Sequence, residues 1–140
     1  LTHAYAYAHA RVRTRARAQV SLAPGLRERY FGDGLEGESD ARYAEVWAAD
    51  AEDAETVGDD PARANGESVM AVAARVGAVV DLAEAEHARA DVVLVAHGDT
   101  LQIAQLVLAA RLAGRAGPTP DEARRHREYG MQTGELREVG

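Results

Sequence analysis

A chain of 140 residues with a formal net charge of −7 and no cysteine has the length of one domain, and it can form neither disulfides nor thiolate zinc sites. Thirty residues are alanine and only 29 are Leu, Ile, Val, Met or Phe, so large apolar side chains are scarce. No stretch approaches the ~18 consecutive apolar residues of a membrane span, and the start lacks the charged-then-apolar order of a signal peptide, so a soluble, cytoplasmic chain is expected.

Charge is distributed unevenly. All 16 basic residues are arginine, and residues 1–32 carry +5 while residues 33–140 carry −12. The acidic bulk argues against nucleic acid as a partner. Arg11, Arg13, Arg15 and Arg17 make residues 1–25 a basic Ala/Arg leader, distinct in pattern from the rest of a single domain spanning 1–140. A solvated segment is the simplest reading of that leader.

Farther along, Gln19–Leu22 has the character of a short strand. Leu26-Arg27-Glu28-Arg29-Tyr30-Phe31 places a carboxylate between two guanidinium groups, where it can be held ionised or poised as an acid or base according to burial. Its bland alternative is a surface loop with weak ion pairs. Gly32-Asp-Gly-Leu-Glu-Gly37 satisfies GxGxxG by letter only. Neither a buried strand nor a helix flanks it, and Asp33 with Glu36 would repel a pyrophosphate, so it reads as a turn.

Tyr43, Val46, Trp47 and Asp50 recur at helical spacing in a short helix over 41–53, with Trp47 as its core anchor. The acidic stretch 54–66, broken by Gly58, Pro61 and Gly66, is a surface loop. Asn65 or Ser68 can cap a long helix reaching to about Ala88, whose face is marked by Val69, Val72, Val76, Val79, Val80 and Ala83. Asp91–Ala96, DVVLVA, is a continuous β-branched run of the kind buried on both faces of a parallel sheet. A helix follows from Thr100 to about Leu112, with Leu101, Ala104, Leu108 and Leu112 on one side and Ile103 and Val107 beside them. Thr119-Pro120-Asp121-Glu122 opens a last helix ending near Gly130, and Glu135–Val139 suggests a closing strand. This order implies an α/β domain with a mostly parallel sheet.

The chemistry concentrates at His97-Gly98-Asp99-Thr100, where an imidazole would sit at the carboxyl end of a strand and at the start of a helix. Unpaired first-turn amides at that positive end favour an anion such as phosphate, and Gly98 allows it close to the backbone. Asp99 opposes an anion there unless its side chain turns away. Neither HExxH nor HxH spacing occurs among the histidines, so no metal site is expected, and Ser68 lacks a nucleophile-elbow context.

Taken in order, LRERYFGDGLEG at 26–37, Tyr43 with Trp47 and Asp50, GES at 66–68, VVLVAHGDTLQ at 92–102 and MQTGELR at 131–137 resemble the histidine phosphatase superfamily, in its phosphoglycerate mutase-like branch. The resemblance implies a three-layer α/β/α sandwich, incomplete in this chain. It also implies phosphate-ester hydrolysis or phosphoryl transfer through a phosphohistidine, without a cofactor, on a small phosphorylated substrate. Glu28 matches the general acid that protonates the leaving oxygen. His97 matches the second histidine that steadies the transferring phosphoryl charge, with Gly98 beside it at the phosphate. The family's nucleophile lies in an Arg-His-Gly motif, and this sequence contains none; His3, His9 and His126 have the wrong neighbours. A further phosphate-binding arginine, expected near residues 1–5, is also missing. The resemblance therefore implies the carboxyl-terminal part of a phosphatase that is inactive by itself. The alternative is an inactive remnant that binds a phosphorylated ligand or a protein partner.

Overall fold

The computed structural model describes residues 19–139. Among them are four α-helices: α1 (Tyr43–Glu52), α2 (Val69–His87), α3 (Gly98–Leu112) and α4 (Pro120–Ala123). Four 3-10 turns lie at Pro24–Leu26, Asp40–Arg42, Pro61–Arg63 and His126–Tyr129.

Helix α2 begins where the Ser68 side chain accepts a hydrogen bond from the Ala71 amide at 3.1 Å. Spacings of three and four residues then bring Val69, Val72, Val76 and Val80 to one buried stripe. That stripe packs on Ile103, Ala104 and Val107 of α3, with Ala54 and Ala123 closing the same cluster. Because so many of these side chains are small, the helices meet through valine and alanine. The buried centre of α3 is Ile103 and Val107, while Leu112 at its end is 65% exposed. A second, smaller cluster joins Phe31, Leu35 and Val46, with Tyr43 against them. Trp47 is half-buried beside this cluster, so Val46 rather than Trp47 anchors α1.

Two glycines let the segment carrying Glu28 lie close to its supports. A Cβ at Gly25 would come within 3.0 Å of the Arg75 carbonyl oxygen on α2, and one at Gly32 within 2.5 Å of the Arg63 Cα. Gly32 also has φ of 132°, a conformation side chains disfavour. The glycine-rich turn is docked, its Asp33 and Gly34 amides donating to the Ala64 and Ala62 carbonyls at 3.0 Å each. Farther on, Thr119 and Glu122 form a reciprocal capping box at the start of α4. The final helix is shorter than expected, because α4 stops at Ala123 and a 3-10 turn carries the chain to Tyr129.

The expected sheet is absent from the described residues, which contain no strand. This overturns both the α/β class with a mostly parallel sheet and the three-layer sandwich implied by the resemblance. The segment 91–96 has no ladder partner there, and Val92, Val93 and Val95 are 46%, 66% and 81% exposed. A β-branched run supplies a preference, but a strand exists only when a second backbone satisfies its amides and carbonyls. Residues 19–22 and 135–139 likewise lack regular structure. No helix among the described residues is long and apolar enough to cross a membrane.

Candidate active site

The segment from Leu26 to Phe31 passes the amino terminus of α3, and its successive side chains go to different environments. Glu28 remains at the surface, with its side chain 38% exposed; Arg29, next to it, is fully buried. Across from them His97 precedes α3 in an extended conformation (φ −80°, ψ 166°), and no side chain caps the helix. Of the first-turn residues Gly98 is exposed, while Asp99 and Thr100 are buried, so Gly98 is the position of that turn open to a ligand. His97 Nδ1 lies 3.5 Å from Glu28 Oε2, and the imidazole is 69% exposed. Around Gly98 the space is open, with nothing within 4 Å of where a Cβ would stand. The three positions singled out in the sequence, Glu28, His97 and Gly98, are thus brought together from segments about seventy residues apart.

Glu28 is oriented by two donors on its other oxygen: the Arg29 amide at 2.8 Å and the Thr100 hydroxyl at 3.3 Å from Oε1. The Thr100 hydroxyl also lies 2.9 Å from the Arg27 carbonyl, so the first turn of α3 is tied to this segment. The flanking guanidinium groups do not clasp Glu28. Arg27 pairs with Glu67 at 2.6 Å, and Arg29 turns inward. An open groove of about 620 Å³ runs from Glu28 past Arg27, Tyr30, Glu36, Tyr43 and Glu67.

Beneath the exposed pair lies a buried charge network. Arg29 meets Asp50 in a two-pronged contact, Nη1 to Oδ2 at 2.6 Å and Nη2 to Oδ1 at 2.9 Å. Its Nη1 also donates to Asp99 Oδ2 at 3.2 Å, and its Nε donates to the Glu67 carbonyl at 2.8 Å. Arg63 donates from Nη2 to Asp50 Oδ1 at 2.8 Å. The other Asp99 oxygen, Oδ1, faces His126 Nε2 at 3.4 Å and Arg127 Nη1 at 3.6 Å. Burial acts to raise the Asp99 carboxyl pKa, but His126 and the Arg29 charge outweigh it and hold the group below the ordinary carboxylate range. Burial likewise acts against the Arg29 cation, and pairing with Asp50 and then Asp99 reverses that, leaving its pKa raised. Asp99 is therefore turned away from the open helix terminus, which removes its objection to an anion there.

Sequence reading missed Asp50, Arg63, Asp99 and His126 as members of one network. Asp50 carried a signal: a carboxylate one helical turn beyond Val46 on the apolar face of α1 requires a buried cation. Nothing local announced which cation.

The chain matches the family model of the histidine phosphatase superfamily (branch 1) over residues 4–121 and belongs to that superfamily. No curated protein and no solved structure matches it.

Proposed function

We propose that Glu28, His97 and the first turn of α3 form a phosphoryl-handling site that serves phosphate-ester hydrolysis. The observation that carries this reading is the 3.5 Å approach of His97 to Glu28 at an uncapped helix terminus, in a chain of this superfamily. The amide of the exposed Gly98 and the imidazole offer hydrogen-bond donors to phosphoryl oxygens, and phosphoryl transfer relies mainly on such positioning and charge stabilisation. Glu28 stands beside them as the group that would protonate the leaving oxygen. With no Arg-His-Gly in these 140 residues, the covalent step has no evident nucleophile, so the chain by itself binds phosphate without turnover. That absence is also what favours the second reading, a phospho-ligand binding module.

The test is titration of the full chain with inorganic phosphate, followed by calorimetry and phosphorus NMR, beside an assay with p-nitrophenyl phosphate. Saturable phosphate binding that disappears in His97→Ala, with hydrolysis at background, is expected. Binding unaffected by His97→Ala would remove the site from Glu28 and His97. Robust hydrolysis abolished by His97→Ala would show that a nucleophile is present after all and reject the non-turnover part.

A further inference from the structure

We propose that Asp99 is a positioning residue: through Arg29 it fixes the segment carrying Glu28 against the turn carrying His97, and so sets the separation of that pair. The inference rests on the reading of Glu28 and His97 as one site. Glu28 precedes Arg29 directly in sequence, and His97 precedes Asp99 by two residues. The Arg29–Asp99 contact at 3.2 Å therefore joins the two backbones immediately behind the exposed pair. Both side chains are almost fully buried, at 0% and 5% exposure, so water does not screen the contact as it screens a surface pair.

Asp99 is also approached from the opposite side. His126 and Arg127 face its second oxygen, and Arg127 lies over the Trp47 ring with its guanidinium carbon 3.5 Å from the centroid. Arg127 also donates to Gln102 at 3.1 Å. The approaches of His126 and Arg127 to Asp99 are not hydrogen bonds, so among the described residues the 3.2 Å contact from Arg29 is the side-chain hydrogen bond that Asp99 accepts. Thr100 provides a second, weaker tie to the same segment through its hydroxyl. Arg29 keeps its two-pronged contact with Asp50 when Asp99 is neutralised, so the loss falls on the link between segments and not on the burial of the arginine.

The experiment uses the full chain and follows the His97 ring resonances by proton–carbon NMR at one fixed pH. Glu28→Gln is introduced alone and in the Asp99→Asn background, with unfolding curves confirming that each variant is folded. Glu28→Gln is expected to move the His97 ring signals in the natural chain, and to move them at least about threefold less once Asp99 is asparagine, a coupling loss that a double-variant cycle isolates. Should Asp99→Asn fail to fold, Asp99→Glu serves instead, since it keeps the buried charge but displaces it, and the same reduction is expected with stability restored. An undiminished response in either folded variant overturns the proposal. Phosphate titration of the unaltered chain judges the site separately, so a failure to bind phosphate would reject that reading while the resonance cycle still reports on positioning.

Discussion

Glu28 with His97 and Arg29 with Asp99 are neighbouring pairs drawn from the same two segments, yet one faces water and the other is enclosed. The outer pair is 38% and 69% exposed and separated by 3.5 Å. The inner pair is nearly inaccessible and belongs to a network that also holds Asp50, Arg63 and His126. In the enclosed network each charge opposes the desolvation of its neighbour, so removing one leaves another stranded. In the exposed pair water can replace a lost partner. A site needs this division of labour: groups that exchange protons or meet a ligand must be reachable, and their geometry must be held by groups that are not.

The largest effect expected from breaking this contrast is at Asp50. Asp50→Ala removes the shared carboxylate between Arg29 and Arg63; Arg29 retains Asp99, but Arg63 keeps no acidic partner among the described residues. A loss of about 3–5 kcal/mol is expected for an enclosed cation left unpaired. Urea unfolding of the full chain measures it. A loss below about 1 kcal/mol, the scale of an exposed pair, would mean the network is more open to water than its geometry indicates.

The contrast also explains what could be read in advance. Helices α1, α2 and α3 were legible because their valines and alanines recur at three- and four-residue spacing and because Ser68 supplies a cap. Glu28 and His97 could be singled out as candidates because each sits in a local motif whose neighbours carry the resemblance, and the fold brings the two within 3.5 Å. The sheet was misjudged because strand formation depends on a partner segment, and 91–96 finds none within the described residues. The enclosed network was invisible for a related reason. Arg29, Asp50, Arg63 and Asp99 become partners only through tertiary contacts spanning up to seventy residues. The two arginines around Glu28 consequently suggested the wrong pairing, with Arg27 going to Glu67 and Arg29 to Asp50.

A middle-sized effect is expected on acidification. The folded Asp99 pKa lies below its ordinary value of about 3.9. Its ionised form therefore contributes stability that is complete above that unfolded value and is lost as pH falls through the folded one. Asp99→Asn should accordingly be less stable than the natural chain at neutral pH, and the difference should shrink below about pH 4. The penalty should stay smaller than that of Asp50→Ala, because Arg29 keeps its two-pronged contact with Asp50. Parallel urea titrations across the acid range check both statements. A constant difference between the two chains down to the acid limit would show that the Asp99 charge does not support the fold.

The smallest effect belongs to the outer pair. Replacing Glu28 by Gln preserves shape and leaves an amide oxygen able to accept from the Arg29 amide and the Thr100 hydroxyl. What is lost is a contact between half-exposed groups at 3.5 Å, and even a fully charged exposed pair has a median worth of only about 0–1 kcal/mol. Stability within about 0.5 kcal/mol of the natural chain is therefore expected for Glu28→Gln, and likewise for His97→Ala, since the imidazole caps no helix amide. The same urea titrations measure both variants. A loss comparable to Asp50→Ala in either would place Glu28 and His97 among the groups that hold the fold, and would remove the reason for reading them as free to meet a phosphoryl group.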